Sequence, residues 1–434
     1  MDFIDAILDR AKKRADSAEV FYARSETTAC AWNADKLKLA EGKESMGIAL
    51  RVLIGGRIGF FATNKVGDPA RIVDTACELA PFGFEFAGVF PAIYEPANAD
   101  FFHQPTSEVG AERLIETGTA MVETAKSAQG DALFEAKLDR AVVSITMANT
   151  HGARTEFRKT GFSGILFGSI TKEGDVLNLY EFDHANHLDD QPRRLAETVA
   201  RKFKDASRIV SLPSGAYPCI LMPKAAGVFL PIKNALNARS VLKDLSPFKD
   251  RIGEQVFDAR VFLVDDGLHE ETPGSQPIDD EGVTGQRTVL VEAGVLAGFI
   301  HDLHTAYKMG LRPTGNGTRM GLSAAPRAGF TTLSFLPGTR TLDEMIAGID
   351  KGVIVDQIMG AHQASPFSGD FSINIDLGFV VEKGRIVGRF KNGMLAGNLF
   401  KMLKDQLVEI GSEAQYTGVL IPPLLLDGMT VATG

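Results

Sequence analysis

The chain has 434 residues, too many for one ordinary hydrophobic core, so two domains are expected. Hydrophobic residues make up 44% of the chain and charged residues 23%, a globular composition that argues against disorder. The net charge of -9 argues against nucleic acid as a partner, because binding phosphates needs a basic surface.

The cysteines and the apolar runs indicate where the protein resides. Cys30, Cys77 and Cys219 are far apart and form no CxxC pair, so they support neither a disulfide framework nor a zinc ribbon. A reducing compartment fits them best. The acidic N-terminal residues lack the features of a signal peptide, and no apolar run approaches the length of a membrane span. We therefore expect a cytoplasmic protein that makes no membrane contact.

The first half of the chain alternates between helical and strand periodicity. Residues 2–14 form an amphipathic pattern, and the strand-like text from 18 to 63 contains a hairpin signal at Gly55-Gly56, since glycine readily adopts positive φ. Asp68-Pro69 opens the next helix, because proline is tolerated in a first turn. The other predicted segments of this half are an irregular proline-rich connection over 81–105, a helix over 107–126, strands over 133–182 and a helix over 192–210.

The segment from Ser211 to Gly215 is the best candidate for a domain boundary, which gives domains 1–210 and 211–434. Strands in the second domain mostly adjoin one another as hairpins and do not alternate with helices. This pattern predicts an α+β fold of two domains, each with a mostly antiparallel or mixed sheet packed with helices. The predicted segments of the second domain are strands over 217–222, 261–264, 288–291, 295–300, 371–381 and 385–390 and helices over 224–239, 301–309 and 342–351.

Two histidine pairs could carry chemistry. His184 and His187 could bind zinc with the neighbouring carboxylates, although a solvated turn is the simpler interpretation. His301 and His304 have helical i, i+3 spacing and could share a helix face. A metal site there would need a third ligand, for which His269 and His362 are candidates, and the alternative is a pair that caps a helix or lines a pocket.

Acidic and glycine-rich segments offer further candidates. Asp265-Asp266 and the acidic run 279–281 could be paired acids, or turns with structural or substrate-facing roles. The segment 315–319, which contains Asn316, lacks the lysine of a phosphate loop and predicts a tight turn close to a partner or ligand.

Taken in order, several segments resemble the TldD/PmbA family. The resemblance runs from about Ala18 to Thr430, and the ordered set is more specific than any single piece. The segments are Arg51 to Asn64, Asp265 to Gly267, Ile278 to Gln286, Glu292 to Leu296, Pro313 to Gly317, Gly369 to Ser372 and Gly378 to Ile386.

The resemblance implies a two-subunit cytosolic peptidase. In that family TldD carries zinc on a His-Glu-x-x-x-His helix with a later cysteine ligand, whereas TldE, also called PmbA, lacks these groups. The ligand positions fall on Pro231 and Leu236 of this chain and the base position on Ile232, and no cysteine follows Cys219. The chain therefore resembles the TldE/PmbA half, with no catalytic residues or metal of its own and with zinc expected in a TldD-like partner.

The leading hypothesis is a non-metal-binding subunit of a heteromeric zinc metallopeptidase that processes peptides and unfolded segments. The alternative is a non-catalytic regulatory protein that modulates gyrase or toxin–antitoxin systems. A third is an autonomous metal hydrolase that uses the histidine pairs. A homodimer without the partner stays open, and the stretch from 278 to 317 is as similar to TldD as to TldE, which leaves a divergent branch open. The candidate substrate-binding residues are Asp265, Asp266, His301, His304 and Asn316.

Overall fold

The computed structural model describes residues 3–172, 174–360 and 365–434. The first half consists of one sheet of long strands flanked by helices. Its helices are α1 (Phe3–Ala11), α2 (Pro69–Leu79), α3 (Gln104–Ser107), α4 (Ala111–Ala128) and α5 (Gln191–Asp205). Its strands are β1 (Ser17–Asn33), β2 (Lys36–Ile54), β3 (Arg57–Thr63), β4 (Leu133–Asn149), β5 (Arg154–Lys172) and β6 (Asp175–Ala185).

Local sequence signals explain where these elements begin and end. Gly55 and Gly56 join β2 to β3 with φ angles of 56° and 76°, which confirms the predicted hairpin. Asp68 caps α2 by accepting a hydrogen bond from the backbone of Arg71 at 3.0 Å, and Pro69 takes the first helical position.

The six strands form an antiparallel sheet in the order β3-β2-β1-β4-β5-β6. Helices α4 and α5 pack on one face, where Leu114 and Phe203 join Phe134 and Leu166 of the sheet in one buried cluster. Helices α1 and α2 cover residues of β1 and β2 in a second cluster. The long strands place charged side chains of β1 and β2 beside segments from the second half of the chain.

The second half contains shorter helices and more numerous short strands. Its helices are α6 (Leu230–Ala235), α7 (Ala238–Leu242), α8 (Leu303–Met309), α9 (Leu342–Ala347) and α10 (Leu399–Lys401). Its strands are β7 (Gly215–Leu221), β8 (Leu263–Asp266), β9 (Arg287–Glu292), β10 (Val295–Leu296), β11 (Gly317–Thr318), β12 (Arg327–Ala328), β13 (Leu333–Phe335), β14 (Lys351–Met359), β15 (Asp370–Glu382), β16 (Arg385–Phe390), β17 (Gly393–Asn398), β18 (Leu407–Ile410), β19 (Gln415–Tyr416), β20 (Leu420–Ile421) and β21 (Leu424–Thr433).

Two larger mixed sheets organise this half. One has the order β10-β9-β8-β13-β20-β19, with a parallel pairing between β13 and β20. The other has the order β14-β7-β21-β17-β15-β16, and an additional pairing of β14 with β15 closes five of its strands into a ring. The α+β prediction is therefore confirmed. The predicted strand over 295–300 is shorter than expected, because the chain turns away after Leu296 and only Ile300 bridges to Asn237.

The two halves share a hydrophobic cluster. Phe203 of α5 belongs to the same buried cluster as Ile220 of β7 and Phe379 of β15. The strands of the first sheet all precede residue 211 and those of the other sheets all follow it. The shared cluster shows that the two halves pack against each other. The division into domains 1–210 and 211–434 stays a prediction.

Candidate functional site

The segment predicted as one helix over 224–239 is in fact three short pieces. A 3₁₀ segment spans Pro223–Phe229, α6 follows, and α7 begins after Asn237. Pro231 lies in the first turn of α6, where its missing N–H costs nothing. The prediction of one continuous helix was wrong, because a proline is tolerated at the start of a helix but breaks its interior.

The three positions that the family resemblance assigns to zinc chemistry are buried and apolar. Ile232 and Leu236 are both 0% exposed and belong to the main hydrophobic core of the second half, and Pro231 is buried beside them. Saturated carbon side chains offer no lone pair to a metal ion and no group to move a proton. The residues at these positions do not fit a zinc ion.

The polar side chains of α6 and the following turn are bound to backbone carbonyls. Lys233 Nζ donates to Gly418 O at 2.6 Å, Asn234 Nδ2 donates to Pro366 O at 3.0 Å, and Asn237 Nδ2 donates to Ala328 O at 2.8 Å. Burial lowers the pKa of the Lys233 ammonium, and Asp265 opposes that shift. These bonds attach α6 and the turn after it to three other segments of the second half.

Two of the candidate substrate-binding residues meet in a buried network. Asn316 Nδ2 donates to Asp265 Oδ2 at 2.6 Å and to Gly329 O at 3.0 Å, while Thr331 Oγ1 donates to the same carboxylate oxygen at 2.6 Å. Asp265 and Asn316 are each 1% exposed. Burial raises the pKa of the Asp265 carboxyl, against the hydrogen bonds from Thr331 and Asn316. Both side chains are therefore enclosed by the protein.

The other three candidates lie in different local structures. Asp266 is half-buried and accepts from the backbone of Leu268 at 3.0 Å, as a turn residue does. His301 is buried and precedes Asp302, the N-cap of α8, so the expectation that it shares a helix face with His304 is wrong. Burial lowers the pKa of both imidazoles, and Asp302 opposes the shift in each.

His304 instead contacts the first half of the chain. Its Nδ1 accepts a hydrogen bond from the backbone of Ala87 at 3.3 Å, and its ring lies 5.6 Å from Phe84 and 6.1 Å from Phe86 between ring centroids. These contacts place His304 between the two halves of the chain. The prediction that these five residues bind substrate stays a prediction.

The acidic run 279–281 forms part of a buried ionic network that joins the two halves. Arg51 donates to Glu281 Oε1 and to Glu19 Oε1, each at 2.7 Å, and Tyr94 donates to the other oxygen of Glu19 at 3.2 Å. Burial raises the pKa of Glu281 to about 7, although the Arg51 guanidinium opposes the shift. Asp279 accepts from the backbone of Gly317 at 2.7 Å. Of the two roles left open for this run, the structure favours the structural one.

Sequence reasoning missed the partners in this network. Glu19 and Arg51 lie on neighbouring strands of the first sheet, where their registered partners are each other, while Glu281 is 230 positions further along the chain from Arg51. The sequence signal that could have located them is a pair of charged residues within otherwise apolar strands. Arg319 also enters the network, 3.8 Å from Glu19 and with its guanidinium carbon 4.7 Å from the Phe21 ring centroid.

A polar cavity of about 330 Å³ lies between the two halves and collects three histidines. His184 belongs to β6 and not to a solvated turn, and both it and His187 are half-buried. His269 joins them from the second half, beside Gln415 and Tyr416. Within residues 3–172, 174–360 and 365–434, no three histidine, cysteine or acidic side chains converge as metal ligands do. His362 lies outside the described residues.

Family models match most of the chain. The PmbA/TldA metallopeptidase C-terminal domain matches residues 214–433 and domain 1 of the same family matches residues 18–80. The chain belongs to the PmbA/TldD metallopeptidase family. No described helix is long and apolar enough to cross a membrane.

Relatives align along most of the chain or along half of it. An uncharacterized protein of Methanocaldococcus jannaschii is 26% identical, with 97% of both chains covered, and a metalloprotease of Methanothermobacter thermautotrophicus is 26% identical over 93% of this chain and 90% of its own. A metalloprotease TldD homolog of Haemophilus influenzae is 33% identical over 51% of this chain and 49% of its own.

Two solved structures share the fold along its whole length. TldE from Thermococcus kodakarensis superposes with a TM-score of 0.91 at 21% identity, covering 99% of this chain and all of its own. A Thermotoga maritima protein described as a candidate modulator of a DNA gyrase superposes with a TM-score of 0.90 at 23% identity, with 99% of each chain covered.

Proposed function

We propose that this chain is the non-metal-binding subunit of a two-subunit zinc metallopeptidase that processes peptides and unfolded segments, and that zinc resides in a TldD-like partner. The observation that carries the proposal concerns α6 and its C-cap. There the buried hydrocarbon side chains of Pro231, Ile232 and Leu236 occupy the positions that a zinc subunit uses for its ligands and base. Membership in a metallopeptidase family supplies the reaction class.

The role of such a subunit is to complete a substrate chamber. An extended peptide binds well by adding a strand to a sheet edge, because its main chain then makes a ladder of hydrogen bonds. The strand β6 forms one edge of the first sheet, and the second half already bonds to it there, because Gln415 of β19 donates to Phe182 O at 2.9 Å. The polar cavity with His184 and His269 opens at this junction.

Coexpression with a TldD-like subunit tests the proposal. We expect the two chains to copurify, with one zinc per pair by elemental analysis, and the pair to cleave unfolded peptides faster than the partner alone. Replacing the zinc ligands of the partner should abolish both zinc and cleavage. Failure to copurify, with cleavage unchanged by this chain, contradicts the proposal.

The third hypothesis, an autonomous metal hydrolase, has a direct test. Elemental analysis of this chain purified alone should find no stoichiometric zinc, and a His301→Ala/His304→Ala variant should match the parent chain. Stoichiometric zinc that disappears in the variant would contradict the assignment of the metal to the partner.

A second candidate function is a regulatory protein that acts on gyrase or toxin–antitoxin systems through protein contacts. The Thermotoga maritima protein with a similar fold is described as a candidate gyrase modulator, which supports this second candidate function. Affinity capture that recovers gyrase subunits or an antitoxin, with no peptidase subunit, would support this candidate against the first one.

A further inference from the structure

A second groove, of about 800 Å³, runs between the first sheet and the loops of the second half. One wall consists of β3 and the end of α2, and the other consists of residues from α7 and from the segment 318–329. Small side chains and one glycine line much of the second wall, so a polypeptide backbone can approach it closely. The groove is separate from the polar cavity at β6.

Large apolar side chains are exposed along this groove. Phe82 is 86% exposed on one wall and Met320 is 94% exposed on the other, and Leu79 and Phe84 are also exposed. Single exposed apolar residues are ordinary, but several that face one concavity mark a binding surface. An aromatic ring supplies a large apolar contact area, and a methionine side chain adapts to varied apolar partners.

The charge of the groove is one-sided. Arg239 and Arg327 line it, and no aspartate or glutamate among the described residues does. Arg239 lies 3.5 Å from the buried carboxylate of Asp302, whereas Arg327 is exposed and forms no ion pair within the described part of the chain. An occupant with carboxylates beside its apolar side chains therefore complements this groove.

The groove also adjoins the helix at the degenerate zinc position. Arg239 lies in α7, and Asn237, the residue before that helix, donates to Ala328 O in the groove wall at 2.8 Å. Leu236 of the degenerate motif directly precedes Asn237. A ligand in the groove thus lies at the C-terminal end of that motif, which favours a substrate over a remote regulatory partner.

We propose that the groove between Phe82 and Met320 binds extended substrate segments that carry large apolar side chains next to carboxylates. This inference rests on the proposed peptidase function, and it adds the substrate class. Phe82 and Met320 contact the apolar side chains, and Arg327 pairs with an adjacent aspartate or glutamate. Because the ion pair is exposed, binding weakens as salt concentration rises.

Fluorescence anisotropy with three matched labelled peptides tests the proposal. The first carries phenylalanine and leucine flanked by glutamates, the second replaces the glutamates with lysines, and the third replaces the apolar residues with serines. On the full chain, alone and in complex with the zinc subunit, the first should bind at least tenfold tighter than the others. Equal affinity for all three overturns the proposal.

Variants locate the binding. Phe82→Ser and Met320→Ser should each weaken the first peptide at least fivefold, and neither should unfold the chain because both side chains are exposed. Arg327→Glu should invert the preference toward the lysine peptide. Matched controls are Leu133→Ser, an exposed apolar residue at the start of β4, and Arg385→Glu on β16.

Two further outcomes decide against the groove as a substrate site. Groove variants that disrupt the complex with the zinc subunit, yet leave the peptide affinity of the isolated chain unchanged, make it a subunit interface. Groove variants that behave as the controls do remove it as a peptide site. The peptide affinity of the isolated chain does not depend on copurification with a partner, so this test and that of the proposed function can fail separately.

Discussion

At the scale of single residues, burial decides the chemistry of the charged groups. Glu281 is 1% exposed and accepts hydrogen bonds from Arg51 and from the backbone of Leu303, each at 2.7 Å. A buried carboxylate loses its hydration, which favours its protonated form, and the nearby guanidinium only partly restores the balance. The carboxyl group therefore titrates near neutrality in the folded protein.

The pH dependence of stability tests this assignment. The pKa of Glu281 is about 7 in the folded state, against an ordinary value of 4.5, so the folded state binds more protons between these pH values. Its contribution to stability is present below pH 4.5 and is lost as pH rises through 7, by up to about 1.4 kcal/mol per pH unit. Urea unfolding from pH 5 to 8 should show a shallower decline for Glu281→Gln. Glu123→Gln, on an exposed face of α4, should follow the parent, and identical slopes for all three proteins contradict the assignment.

At the scale of elements, α6 shows how a short helix is kept by its packing. Six residues are too few for a stable isolated helix. The helix persists because Ile232 and Ala235 are buried in the main core, while Lys233 and Asn234 bind carbonyls of distant segments. The helix is therefore a core element that carries no reactive group at the degenerate positions.

A pair of truncations in α6 separates core packing from exposed surface. Ile232 is 0% exposed, so Ile232→Ala should lower the free energy of unfolding by about 2–5 kcal/mol through lost burial and the resulting cavity. Leu230 lies in the same helix and is 48% exposed, so Leu230→Ala should cost less than about 1 kcal/mol. Urea denaturation followed by circular dichroism measures both. Similar costs for the two variants would mean that α6 is not anchored in the core.

At the scale of the whole molecule, two buried ionic clusters cross between the halves. One contains Arg51 and Glu281. In the other, Lys224 of the second half lies 2.7 Å from Glu181 and 2.8 Å from Asp356, and Lys202 of α5 lies 2.6 Å from the same aspartate. Buried ion pairs of this kind add little to the net free energy of unfolding, but removing one partner leaves an uncompensated buried charge. We therefore expect these clusters to specify how the halves dock.

Removing one lysine from the second cluster should destabilise the entire chain. Lys224→Met leaves Glu181 and Asp356 with one cation between them, which should cost about 3–5 kcal/mol. Trp32, the single tryptophan, reports the first half by fluorescence, while circular dichroism reports both halves. The midpoints from the two probes should fall together. Lys401→Met, at an exposed lysine of α10, should leave both unchanged, and a shift confined to one probe contradicts docking as the role of the cluster.

Much of the fold could be predicted from the sequence because the signals are local. Turn glycines such as Gly55 and Gly56, the cap at Asp68 and the spacing of apolar residues each act within a few positions of the chain. These signals located the strands of the first sheet and most helices. They failed over 224–239, where one apolar pattern suits a long helix and three short pieces equally well.

The candidate site was less predictable, because its properties come from distant segments. Asp265 and Asn316 are 51 positions apart, and their contact and burial depend on strands that cover them from elsewhere in the chain. His301 and His304 are close in sequence, yet only His304 belongs to α8, since the helix begins between them. No local sequence pattern determines which side chains become buried and lose their hydration.

The sequence by itself determined the α+β class, the family and the absence of zinc-ligating groups at Pro231, Ile232 and Leu236, because residue identity and short-range periodicity suffice for these. Only the tertiary structure decided that these positions lie in a sealed core, that Glu281 meets Arg51, and that Phe82 faces Met320 across a groove. Those features depend on desolvation and on contacts between distant segments, which arise only when the halves pack together.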